Sequence, residues 1–123
     1  MASAKPQLPR STYPYPLVTE ELLQEVVRRI LSVGNPLKIV LFGSHARGDA
    51  RPDSDLDILI IEEDSALPDV HRPTRYRMAL LGLHPSKDII VRTESAVKEW
   101  AGVRMHFLTT ALRTGRLLYE RPH

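Results

Sequence analysis

The sequence predicts an α+β (mixed α/β) fold: a mixed sheet of three or four strands flanked by helices that lie mainly on one face. Two observations carry that expectation. Short, β-branched apolar runs at 38–42, 55–61 and 87–92 have strand length and are bounded by Gly, Pro and Ser. Stretches of helical apolar spacing separate them, so the order reads helix, strand, short helix, strand, helix, strand, helices, strand. With 123 residues, 42% of them apolar, there is material for one core and therefore one domain.

Residues 1–16 lead the chain. Pro6, Pro9, Pro14 and Pro16 deny them regular hydrogen bonding, so a flexible proline-rich arm is expected ahead of a domain spanning 17–123. Tyr13 and Tyr15 give the arm a second reading, as a partner-binding segment. Thr19 then caps a helix with Glu20 and Glu21 in its first turn. Leu22, Leu23, Val26, Val27, Ile30 and Leu31 form the apolar stripe, and Gly34 ends it. Lys38-Ile39-Val40-Leu41-Phe42 follows as a buried strand that stops at Gly43-Ser44.

The next fifteen residues hold most of the chemistry. Gly43 removes a side chain where phosphates would approach the backbone; Ser44 can cap a short helix over 45–48 and offer its hydroxyl to a phosphate. A triphosphate tail suits that turn. Arg47, one turn on, has two readings: a charge-assisted contact to phosphate, or a bridge to a carboxylate of the next strand. Pro52-Asp53-Ser54 reads as a turn, and Asp55-Leu56-Asp57-Ile58-Leu59-Ile60-Ile61 as the second strand. Asp55 and Asp57 project from one face about 6–7 Å apart along the chain, so both can serve one cation or a close pair. Hard oxygen donors of this kind suit Mg²⁺ or Mn²⁺.

After an acidic, Pro-containing connection over 62–70, residues 71–83 carry a helix with Tyr76, Met78, Ala79, Leu80 and Leu81 available for packing. Its Arg72, Arg75 and Arg77 read as a solvated face, with attraction of a triphosphate or an acidic partner as the alternative. Lys87-Asp88-Ile89-Ile90-Val91-Arg92 is a third strand whose only acid is Asp88. Placed beside the second strand, Asp88 joins Asp55 and Asp57 in a cluster able to hold two metal ions about 3.5–4 Å apart, and it is the candidate to accept the proton of an attacking hydroxyl. Thr93 opens a helical stretch to Trp100, Gly102 breaks it, 104–113 resumes it, and Gly115 precedes a last strand.

Gly43, Ser44, Asp55 and Asp57 together spell Gly-Ser-x10-Asp-x-Asp. In this the chain resembles the DNA polymerase β-like nucleotidyltransferase superfamily, and more closely its minimal nucleotidyltransferase branch, over about Thr19 to Arg121. The resemblance implies that fold, a third Asp in the following strand as at Asp88, and in-line attack of an acceptor hydroxyl on the α-phosphate of a nucleoside triphosphate. On that likeness Asp55, Asp57 and Asp88 are the catalytic, metal-ligating residues for two Mg²⁺ ions, and Gly43 and Ser44 bind the nucleotide's phosphates; Arg47 joins them as a nucleotide-binding candidate on its own chemistry. The branch is often paired with a small HEPN-domain toxin, which implies an antitoxin that transfers AMP from ATP to a tyrosine of that partner. Transfer to a small molecule such as an aminoglycoside, with a second copy of the chain walling the acceptor site, is the alternative enzyme; a non-catalytic antitoxin that acts by covering its partner is the alternative of another class.

Composition narrows these choices. A formal charge of +2 without a long basic cluster gives little footing on a nucleic-acid backbone, which argues against templated polymerisation and direct nucleic-acid binding. No apolar run reaches the roughly 20 residues of a membrane span, no secretory signal opens the chain, and there is no cysteine, so a cytoplasmic protein without disulfides is expected. The five histidines lack ligand spacing, which speaks against zinc.

Overall fold

In a computed structural model, which describes residues 18–51, 53–64, 71–100, 103 and 107–122, helix α1 (Glu20–Val33) begins where Thr19 accepts the Leu22 N–H on its hydroxyl at 3.1 Å. The expected arm at 1–16 lies outside the described residues. Strand β1 (Lys38–Phe42), helix α2 (Ser44–Arg47), strand β2 (Leu56–Glu62), helix α3 (Arg72–Ala79), strand β3 (Lys87–Thr93), helices α4 (Glu94–Trp100) and α5 (Phe107–Thr114), and strand β4 (Arg116–Glu120) follow. The strands form one mixed sheet in the order β3-β2-β1-β4. β1 runs antiparallel to both β2 and β4, and β2 runs parallel to β3.

Helices cover both faces of this sheet, which corrects the expectation that they lie mainly on one. Leu23, Val26 and Ile30 of α1 with Tyr76 of α3 pack on Ile39, Leu41, Ile58 and Ile60; Leu108 and Ala111 of α5, with Val97 of α4, pack on Val40, Leu59 and Ile61 across the sheet. The reason is visible in β2, whose residues are buried on both sides except at Asp57. An apolar run without alternation needs cover on each face, as parallel pairing in a sheet generally demands.

At the far end of β2 the strand runs one residue longer than expected, to Glu62, a buried acid at 7% exposure. Tyr76 donates its hydroxyl to Glu62 Oε2 at 2.5 Å, and Arg72 Nη1 reaches Oε1 at 2.7 Å. Burial, and the hydrogen bond to Glu62, push the Tyr76 phenol above its usual range. Arg72 therefore belongs to a partly buried ion pair, and Arg77 donates to the Ile89 carbonyl at 3.2 Å, so the arginines of α3 are not simply a solvated face. Gly34, expected as a helix-ending glycine, has extended backbone, φ −158°. Its need is for space, because a Cβ there would overlap the Tyr76 hydroxyl and stand 2.8 Å from Cζ. Tyr76→Phe is expected to cost about 1–3 kcal/mol by leaving a buried carboxylate short of a donor. Urea unfolding checks this, and a change under about 0.5 kcal/mol would show that Arg72 alone satisfies Glu62.

A second ion-pair group ties α1 to the turn after α3. Glu25 accepts from Arg28 Nη2 at 2.5 Å and from Arg29 Nε at 2.9 Å, and Arg29 Nη1 donates to the Leu81 carbonyl at 2.9 Å. Hydrogen bonds from Arg28 and then Arg29 lower the Glu25 carboxyl from an ordinary 4.5 to about 2. An acid depressed in the folded state stabilises it above the unfolded value and loses that contribution as pH falls through the folded one. Wild-type stability should therefore drop between about pH 4.5 and 2. Glu25→Gln should flatten that part of the curve in denaturant titrations run at each pH; an unchanged slope would place the acid sensitivity elsewhere.

Candidate active site

Four chain segments meet at one end of the sheet, where β1 finishes and β2, β3 and β4 start. Asp57 stands at the centre: Phe42 of β1 is its register partner on one side and Asp88 of β3 on the other. Asp55 lies two residues before Asp57, just ahead of β2. Asp57 and Asp88, as lateral neighbours, project from one face, the face that carries Leu59 and Ile61 below. Asp55 and Asp88 are exposed and Asp57 is half-buried.

That placement makes Asp57 the most perturbed of the three. Burial first, then the charges of Asp88 and Asp55, raise its carboxyl above the usual range, while His45 and Arg47 pull it partly back. Asp55 is oriented from outside the sheet by the Ser86 hydroxyl, which donates to its Oδ1. Ser86 also accepts the Leu56 N–H on its carbonyl at 2.9 Å, so the start of β3 fixes both the first carboxylate and the strand behind it.

Gly43 connects this row to the turn. Its backbone is left-handed, φ +76°, and a Cβ there would overlap the Asp57 carboxylate, standing 3.0 Å from Cγ. The glycine is thus required by backbone and neighbour alike, and the space cleared is filled by Asp57. Ser44 does not cap α2. Gly43 holds the N-cap position, its carbonyl accepting the N–H groups of Ala46 and Arg47 at 3.1 Å, and no side chain makes a cap hydrogen bond. Ser44 is instead the first helical residue. Arg47 bridges to no carboxylate of β2; its ion pair is local and exposed, with Asp49 at 3.4 Å.

Two residues that position this end escape a reading of the sequence. His45, which reads as an ordinary surface or core histidine, donates its Nε2–H to the Ser54 carbonyl at 2.8 Å and ties α2 to the turn before Asp55. Ser86, which reads as part of a turn, holds Asp55 across 31 residues of sequence. No spacing rule marks either, because both contacts arise only when separate elements meet.

A glycine-serine turn is thus packed against carboxylates at one end of the sheet. The nucleotidyltransferase domain family model matches residues 20–114, and the chain belongs to that family. Among solved structures it is similar to a protein of Sulfolobus solfataricus described as a nucleotidyltransferase, at 24% identity and TM-score 0.56, covering 82% of this chain and 79% of that one. A toxin-antitoxin structure with AMP-PNP is similar at 17% identity and TM-score 0.59, and a mutant of the toxin-antitoxin MntA-HpeT at 15% and 0.58; each covers 80% of this chain and 73% of its own. At these identities the structural likeness bears on the fold. No curated protein matches the sequence significantly. Among the described residues no helix is long and apolar enough to cross a membrane.

Proposed function

We propose that this chain is a divalent-metal-dependent nucleotidyltransferase that moves AMP from ATP to a hydroxyl of a partner protein, the acceptor being a tyrosine of a HEPN-domain toxin and the result its neutralisation. The observation that carries the reading is the shared space of Gly43 and Asp57, which builds the phosphate turn and the central carboxylate as one packed unit. Family membership supports nucleotidyl transfer. The protein acceptor is supported by the toxin-antitoxin neighbours, one of which holds AMP-PNP, an ATP analogue. The MntA-HpeT mutant carries two Asp→Glu substitutions two positions apart, the separation of Asp55 and Asp57.

Donor chemistry fits Mg²⁺ or Mn²⁺. Asp55, Asp57 and Asp88 offer hard oxygens only, and burial, followed by the like charges of Asp88 and Asp55, raises the Asp57 carboxyl, a shift that a bound cation opposes. Among the described residues no three His, Cys, Asp or Glu side chains are gathered closely enough to form a metal site by themselves. Mg²⁺ is commonly held by one or two carboxylates plus substrate phosphates, so a site completed by the nucleotide is consistent with that spacing. When bound, the ions supply positive charge at the phosphoryl oxygens.

This chain's own residues do the rest. The Gly43-Ser44 backbone and the Ser44 hydroxyl bind the β- and γ-phosphates, and Arg47 stands beside them as a second cation. Asp88, exposed at the outer strand, takes the proton of the acceptor hydroxyl as its oxygen bonds the α-phosphorus. The bond from the α-phosphorus to the bridging oxygen breaks, and pyrophosphate leaves with the electron pair. Intact mass of a purified HEPN-domain toxin incubated with this chain, Mg²⁺ and each nucleoside triphosphate in turn tests the reading. A gain of AMP from ATP alone is expected; neutralisation of the toxin with no mass gain would replace transfer by simple occlusion.

A further inference from the structure

Of the large apolar side chains exposed among the described residues, the two most exposed are Met78 at 62% and Leu81 at 65%, and they sit together. Leu81 donates its N–H to the Met78 carbonyl at 3.3 Å at the corner where α3 turns toward β3. Beside them opens a cavity of about 290 Å³ whose walls are Leu80, Leu81 and Leu83 and whose polar edge includes Arg77, His84 and Lys87. Among the described residues no acidic side chain lines it. Arg29, on the Leu81 carbonyl, adds a further cation, and its partner Glu25 is already shared between two arginines.

The corner also touches the reacting end of the sheet. Ser86, at the cavity edge, holds Asp55; Lys87 is the register partner of Leu56; Asp88 is next along β3. β3 is the outer strand, so a chain lying in the cavity can pass round it and reach Asp88 about two strand residues, roughly 7 Å, further on. Apolar walls edged by Arg77 and by Lys87, whose ammonium also donates to the Leu83 and Pro85 carbonyls, with Arg29 close by, suit an apolar side chain flanked by carboxylates, and exposed apolar surface rimmed by polar groups is the usual mark of a protein contact.

We infer that the α3–β3 corner is where the acceptor protein docks, taking from it a bulky apolar side chain flanked by Asp or Glu and so presenting a nearby tyrosine to Asp88. The inference rests on the protein-acceptor reading above and adds to it a binding surface and the chemistry of the segment bound.

Three tyrosine peptides test it: one with leucine flanked by glutamates a few residues from the tyrosine, one with the glutamates replaced by lysines, one with the leucine replaced by serine. AMP transfer to each is followed by mass with Mg²⁺ and ATP, for wild type and for Leu81→Asp, with Leu81→Ala as the milder change. Wild type should favour the glutamate-leucine peptide by about tenfold in KM, a preference worth about 1.4 kcal/mol, and Leu81→Asp should erase it with kcat within about twofold. Equal KM values for the three peptides, or a preference that survives Leu81→Asp, would overturn the inference. So would competition at the corner by a short single-stranded RNA that the glutamate-leucine peptide cannot displace. Labelling of the whole toxin separates the two levels: a toxin that gains AMP while the three peptides show equal KM values sinks the docking surface alone, whereas a toxin that gains none from a chain that binds ATP with Mg²⁺ sinks the protein-acceptor reading on which it rests.

Discussion

Asp57→Asn should abolish nucleotidyl transfer, by at least about a thousandfold, while leaving the folded protein as stable as wild type or more so. The two halves of that expectation have one cause. Asp57 is half-buried, and burial together with the charges of Asp88 and Asp55 opposes its ionised form. Asparagine keeps the shape and removes the charge, so the fold is relieved of the repulsion. Transfer loses the central carboxylate of the row, and with it a ligand for the cation that would offset the negative charge developing on the phosphoryl oxygens, the largest kind of contribution a site of this class makes. Thermal unfolding without nucleotide and turnover with ATP and Mg²⁺ are the two measurements. A variant that is inactive because it is unfolded would refute the assignment, and so would one that is stable and retains a tenth of its activity. Opposed changes in stability and activity are expected where a site accepts unfavourable electrostatics for its chemistry.

Gly43→Ala is the second large effect, and it should act through Asp57. Alanine at φ +76° strains the backbone by about 1–2 kcal/mol, and its Cβ would overlap the Asp57 carboxylate. Either the carboxylate or the turn must then move. Displacing a reacting group by about 1 Å is enough to cost about a hundredfold in rate, so activity should fall by that factor or more with only a modest drop in melting temperature. Coupling is the sharper test: in the Asp57→Ala background the obstacle is gone, and Gly43→Ala should then cost only the backbone strain. Full additivity of the two stability changes would show that Gly43 serves the phosphates alone, as the motif by itself suggests.

Much of this is legible in the order of residues. Periodicity and length locate β1, β2 and β3 to within a residue or two, Thr19 marks the start of α1, and the spacing from Gly43-Ser44 to Asp55 and Asp57 identifies the family. These are local properties, set by side-chain volume, backbone freedom and the alternation of a strand. Asp88 is reachable by the same logic, as the single acid in an apolar strand, though its register with Asp57 is not.

The remainder depends on elements far apart along the chain. Cover on both faces of the sheet follows from the unbroken apolar run Ile58–Ile61 in β2, a feature that does not say which helix goes to which side. Glu62 reads as the start of an acidic loop, and becomes a buried strand residue because Tyr76 and Arg72 arrive from α3 to satisfy it. Gly43 reads as clearance for a ligand, and the body that fills the clearance is Asp57, fourteen residues on. The amino-acid sequence thus dictates which chemistry is present and its order along the chain. Packing dictates which groups share charge, space and hydrogen bonds, because those interactions decay within a few ångströms and depend on where separate elements come together.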